Sequence, residues 1–159
     1  MKSTKLTLVM AFLALVLMLA GCAGEGVAAT SNQFSGRFSG DIVFEAGGRG
    51  GGPSLQLYPF TISDDGTLAG TATFQDEQGS HQGPITGTLT PSGKFDLSTK
   101  MEGLEFTASG QGLRWVVESQ TRGGGPSQYV LGTVTVTQRK NDSPYGQVWA
   151  NSRVMFWQE

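Results

Sequence analysis

Between residues 34 and 44 the chain alternates between two chemical classes, with Val43 the one apolar residue on the polar parity. Phe34, Gly36, Phe38, Gly40, Ile42 and Phe44 share one parity, and Ser35, Arg37, Ser39 and Asp41 share the other. Successive side chains of a strand point to opposite faces, so this pattern builds one apolar face and one wet face. A helix would scatter the same aromatics around its axis. Gly36 and Gly40 fall on the apolar face, where a strand that curls needs sites at which the backbone can bend. A curling, amphipathic strand has to close its edges against others of its kind, which constrains the remainder of the chain.

The remainder repeats the pattern. Strands are expected over Ser54–Ser63, Thr67–Gln75, Ile85–Thr90, Lys94–Thr99, Leu104–Ser109, Leu113–Ser119, Gln128–Gln138 and Gln147–Gln158. Between them stand Asp64-Asp65-Gly66, Pro91-Ser92-Gly93, Met101-Glu102-Gly103, Gly110–Gly112 and Asn141–Pro144, and longer segments at Ala46–Pro53, Asp76–Gly83 and Gln120–Ser127. Within Ser54–Ser63 the apolar parity switches between Leu57 and Phe60, so Tyr58-Pro59 marks a bulge or an edge position. Short strands at regular spacing predict an all-β, antiparallel up-and-down meander, a small barrel of about eight or nine strands, with a β-sandwich as the alternative.

The N-terminus has a different character. Lys2 and Lys5 precede Leu6–Ala20, an uncharged apolar run too short and too weakly flanked for a stable membrane span. It closes on Leu19-Ala20-Gly21-Cys22. Residues 1–22 resemble the signal of bacterial lipoproteins. That resemblance implies a diacylglyceryl group on the Cys22 sulfur, cleavage before Cys22, and acylation of the new N-terminus, typically with palmitate. An ordinary secretory peptide cut near Ala28 or Ala29 would instead discard Cys22. On the lipoprotein reading, residues 1–21 are removed, 22–33 form a lipidated N-terminus and tether, and 34–159 form one β-barrel-like domain. Two or three acyl chains hold where one would be marginal, and the tether reaches at most roughly 35 Å from the bilayer. The expected place is the cell envelope. Ala23 after the cysteine resembles the outer-membrane sorting pattern of a two-membrane bacterium; with one membrane, the outer face of the cell membrane is expected.

Charge and composition narrow the function classes. Without residues 1–21 the chain carries nine basic and thirteen acidic residues, a net charge of −4, and no Lys/Arg cluster. That speaks against nucleic acid as a partner. Cys22 is the sole cysteine, so the folded part has no disulfide or thiol chemistry. One histidine and no free cysteine cannot build a zinc site of the usual kinds. Asp64-Asp65-Gly66 and Asp76-Glu77 lack the alternating oxygen spacing of a calcium loop. The inward parities carry no paired carboxylates for acid–base work. No cofactor is expected, and an enzyme is the weaker class.

Two repeats stand out. Gly-Thr-x-Thr occurs at Gly70–Thr73, Gly87–Thr90 and Gly132–Thr135, with glycine on the apolar parity. Arg-Gly-Gly-Gly-Pro-Ser occurs at Arg49–Ser54 and Arg122–Ser127. In a strict meander the connections after strands 1, 3 and 7 open at one mouth, which gathers Arg49, Gly50, Gly51, Gly52, Asp76, Glu77, His81, Arg122, Gly123, Gly124 and Gly125. His81 reads as a surface loop residue. Loops on a rigid scaffold commonly carry function, and glycine runs beside arginines suit an anionic ligand. A hollow interior would instead take an apolar ligand; a filled one leaves an interaction module for an envelope protein. Trp149, Met155 and Trp157 share one parity and would form a partner patch if that row faces out. Asp65–Phe74 and the hairpin after it, about thirty residues, are similar to avidin-type and lipocalin-like barrels and to the barrel domains of transferrin-binding lipoproteins. That likeness implies a barrel and assigns no ligand residue.

Overall fold

The computed structural model describes residues 31–45, 52–118, 127–141 and 143–159. These form nine strands and no helix: β1 (Gly36–Val43), β2 (Ser54–Ile62), β3 (Thr67–Asp76), β4 (Gly79–Leu89), β5 (Phe95–Met101), β6 (Leu104–Gly110), β7 (Arg114–Glu118), β8 (Ser127–Lys140) and β9 (Gly146–Gln158). All pairings are antiparallel. β1 to β6 follow one another, β1 pairs with β9, β9 with β8, and β8 with β6. The β6–β8 ladder closes an eight-stranded barrel, so the sandwich alternative falls away.

β7 is the ninth strand and not a further stave. β6 runs along β8 from Leu104↔Lys140 to Gly110↔Val134, and β7 continues in the same direction from Arg114↔Leu131 to Glu118↔Ser127. Three residues between Gly110 and Arg114 stand against two between Val134 and Leu131, which is a β-bulge. The sequence reading took Gly110–Gly112 as a reversal. Gly112 has φ +79° and nothing near its missing Cβ, a left-handed conformation that costs glycine nothing. Turns and bulges use this same chemistry, and here the Leu113 amide donates to Gly93 O (3.1 Å) across the barrel rim, so the chain carries straight on.

Two more bulges set the parity of the walls. In β2 two residues lie between Leu57 and Phe60 against one on both β1 and β3. The extra residue lies at Tyr58-Pro59, as the parity switch indicated, where proline's missing N–H costs no ladder bond. In β9 two residues lie between Trp149 and Ser152 against one on β8, and Asn151 takes φ 59°. Asparagine is among the few residues that tolerate this conformation.

The interior is packed with side chains. Phe34, Phe38, Phe44, Phe60, Phe95, Phe106 and Phe156 are fully buried with Ile42, Leu55, Leu57, Leu68 and Ile85, and Phe74 and Trp149 nearly so. Ring centroids stand 4.8 Å apart for Phe44–Trp149 and Phe74–Phe106, and 4.9 Å for Phe60–Phe156. These are contact distances for offset and edge-on rings. The inward rows expected from parity in β1, β3, β5 and β6 are buried, apart from Gly36, Gly70 and Leu104, which are partly buried. An apolar ligand inside would have to displace these rings.

Candidate functional site

The first rim lies where β1 ends, together with the β3–β4, β5–β6 and β8–β9 connections. Asp76–Gly83 was expected there as a long loop. It is a tight hairpin instead: Asp76 pairs with Gly79, Gln75 with Ser80, Phe74 with His81 and Ala72 with Gly83. The inward positions of this stretch are Gly79, His81 and Gly83, so no apolar side chain advertised the strand. His81 therefore sits on the inward parity at the rim, half-buried, and is not a surface loop residue. Its Nε2 lies 3.2 Å from Asp76 Oδ1. The same oxygen accepts from the amides of Gln78 (2.8 Å) and Gly79 (3.1 Å). Desolvation at the rim pushes the Asp76 carboxyl up, but these donors outweigh it and its pKa is lowered. This carboxylate is consumed by its own turn, so the pair works as a clamp on the hairpin. Glu77 is exposed at the tip and Gly52 is half-buried just ahead of β2. Arg49, Gly50 and Gly51 lie outside the described residues.

The second rim carries the β2–β3 and β4–β5 turns, the end of β7 and residues 31–35. The sequence left residues 31–33 to the tether, yet Asn32 is only 2% exposed. Its Nδ2 donates to Leu89 O (2.6 Å) and its Oδ1 accepts from the Phe34 amide (3.1 Å). Gln33 Nε2 donates to Pro91 O (2.7 Å), and Trp115 Nε1 donates to Gln33 O (3.0 Å). Phe34 is thereby held across this mouth, stacked on Trp115 at 6.2 Å.

The expectation that both Arg-Gly-Gly-Gly-Pro-Ser connections open at one mouth is overturned. It counted six strand passes between them. Because β6 and β7 run the same way, there are five, and an odd number delivers the chain to the other end. Val43 and Ser54 pair at the first rim, whereas Glu118 and Ser127 pair at the second. Arg122, Gly123, Gly124 and Gly125 lie outside the described residues, but the strands that flank them do not bring them to Arg49. The two connections thus leave the barrel at opposite rims, and no anion site is assigned to them.

The outer wall offers a different concentration of chemistry. Trp157 is 36% exposed, and its ring centroid is 5.9 Å from that of Tyr58, itself 44% exposed. Around them on β7, β8 and β9, at cross-strand positions, lie Val116, Tyr129, Leu131 and Met155. Trp149 does not join this row as expected: the bulge at Asn151 turns it inward, leaving Met155 and Trp157 outside. Arg37 Nε meets Glu159 Oε2 at 2.6 Å above the patch, and Ser39 Oγ donates to the same carboxylate. Arg114 and Arg153 are exposed below it. Asp41 lies beneath, with Oδ1 sealed from solvent and without a hydrogen-bond partner. Burial raises its pKa, and the Tyr58 hydroxyl beside it pulls the other way. The sequence reading missed Tyr58, Tyr129, Leu131 and Val116 here. Their signal was available as large apolar side chains on the parity opposite to the core.

Among the described residues no three His, Cys, Asp or Glu side chains gather closely enough for a metal, and grooves open on the outside of the barrel and at the tip of the β8–β9 hairpin. No helix among them is long and apolar enough to cross a membrane. Cys22 lies outside the described residues. Comparison with protein-family models, with curated proteins and with solved structures found no match.

Proposed function

We propose that this chain is a lipid-anchored lipoprotein of a bacterial cell envelope, whose barrel is an interaction module working through its outer surface. The observation that carries the second half is the filled interior. With phenylalanines packed from rim to rim, the inside has no room for the apolar guest that a hollow barrel would take, and the exposed Tyr58 and Trp157 sit together on the outer wall. The anchoring half is supported by Lys2, Lys5, Leu6–Ala20 and the Leu19-Ala20-Gly21-Cys22 motif. It is also supported by where the barrel begins. Nine residues separate Cys22 from the packed Asn32, a tether of at most about 30 Å, long enough to clear the headgroups and short enough to keep the barrel at the surface.

Replacing Cys22 tests the anchor. The wild-type chain, expressed in a bacterium, should partition into the detergent phase, and Cys22→Ser should appear as uncleaved precursor or as protein in the aqueous phase. A Cys22→Ser chain that is processed and partitions like wild type would overturn the reading. In a two-membrane host the protein should fractionate with the outer membrane.

A further inference from the structure

We propose that the outer face of β8, β9 and β1 is a self-complementary interface that takes a second copy of this chain. The inference rests on the reading of the barrel as a module that acts through its outside. Along β9 and the residue that follows it, the outward residues run Arg153, Met155, Trp157, Glu159. The sequence is symmetric in size and antisymmetric in charge about Phe156. Phe156 pairs with Val130 on β8 and with Gly40 on β1, so one line across the sheet passes over Val130, Phe156 and Gly40. A two-fold axis along that line lays a second copy's β9 antiparallel on the first. Isologous pairs of this kind use one patch twice.

Under that operation each outward residue meets the one equally far on the other side of the line. Trp157 meets Met155, and Tyr129 meets Leu131, each twice, so every ring covers an aliphatic or thioether side chain. Glu159 meets Arg153, also twice, at the two ends of the patch. Arg37 falls opposite Val43 and Arg114 opposite Val116, so no like charges are brought face to face. The composition matches protein interfaces, whose centres favour Trp, Tyr and Met and whose rims are charged. Glu159 is already steered over the outer face by Arg37 and Ser39, and a carboxylate has lone pairs for a second guanidinium. A lipid surface would give no use to the alternation of arginine and glutamate along β9, whereas a second copy uses both.

The test is the mass of the full chain extracted into non-ionic detergent, by sedimentation equilibrium with the detergent contribution matched out. Wild type should weigh two copies. Glu159→Arg and Arg153→Glu should each weaken association by about tenfold or more, since each places two like-charge pairs in the contact. An equimolar mixture of the two variants should regain the two-copy mass, because one carries both arginines and the other both glutamates. Far-ultraviolet circular dichroism of each variant checks that the barrel is intact, and Trp157→Ala provides a second disruption that leaves the charges alone. A one-copy mass for wild type, single variants that associate normally, or a mixture that stays monomeric would each overturn the proposal. So would a wild-type chain of one-copy mass whose Trp157 emission shifts only on adding lipid vesicles, which would make the patch a membrane contact. An anchored chain of one-copy mass would sink the dimer and leave the anchor standing.

Discussion

Gly40 shows how little space a single position can have. A Cβ there would stand 2.2 Å from the backbone oxygen of Met155 and 2.6 Å from the Phe156 ring, so glycine is required by the closeness of β9 as much as by the bending of β1. Gly40→Ala should cost about 1–3 kcal/mol through overpacking, read as a fall in the urea midpoint at unchanged slope; an unchanged midpoint would mean that β1 and β9 are further apart than described. Gly132 serves differently, leaving a slot that the Leu113 side chain fills. Asp41, at the neighbouring position to Gly40, is the residue at which charge works against the fold. Its raised pKa means that the folded state prefers the neutral carboxyl, so the stability it contributes is present at low pH and lost as pH rises through the folded pKa. Asp41→Asn should therefore melt higher than wild type at pH 7, with the gain closing as the pH falls below the ordinary carboxylate range. A gain that persists undiminished in acid would assign it to packing instead.

At the scale of elements, the N-terminal segment and the bulges decide what the strands become. Residues 32–34 form a plug: Asn32 ties down to the β4–β5 side, Gln33 to Pro91 and Trp115, and Phe34 closes the mouth over Trp115, whose ring also meets Phe38. Phe34→Ala should cost about 3–5 kcal/mol, the range for emptying a buried aromatic site, and should shift tryptophan emission to the red as Trp115 is wetted. Loss of stability without any emission change would place Trp115 elsewhere. The bulges in β2, β9 and β6–β7 each offset one wall by a residue. The one at Asn151 sends Trp149 into the core and Trp157 to the outside, although four strand periods would have put them on one face.

For the molecule as a whole, the filled interior is the decisive property. A ligand that binds only the native state raises its melting temperature in proportion to the logarithm of its concentration. Saturating fatty acid or another long apolar ligand should leave this barrel's melting temperature unchanged, because entry would require ejecting aromatic rings already in contact. A concentration-dependent rise would reveal an interior site. Closure also protects the fold: every stave is paired on both sides over part of its length, and among the described residues Gly79–Pro84 of β4, Gly146–Ser152 of β9 and β7 have a ladder partner on one side only.

The amino-acid sequence by itself determined which residues face inward over most of the barrel, because alternation is local: Phe34 to Phe44, Leu68 to Phe74 and Leu104 to Ala108 needed no knowledge of their neighbours. It also determined the Tyr58-Pro59 irregularity, since a parity switch is visible in one strand. What only the tertiary structure decided was the use of glycine-rich and polar stretches. Gly110–Gly112 has the chemistry of both a turn and a bulge, and the choice fell to β8, which pairs with β6 and β7 along one continuous line, and to the Gly93 carbonyl that receives the Leu113 amide. Gly79–Gly83 carries no apolar inward residue and becomes a strand because β3 offers it a full ladder. Whether the two Arg-Gly-Gly-Gly-Pro-Ser connections share a mouth depends on counting reversals, and a single misread reversal inverts the answer. Parity belongs to one strand, while direction belongs to the hydrogen-bond partners that a strand finds only once the barrel has closed.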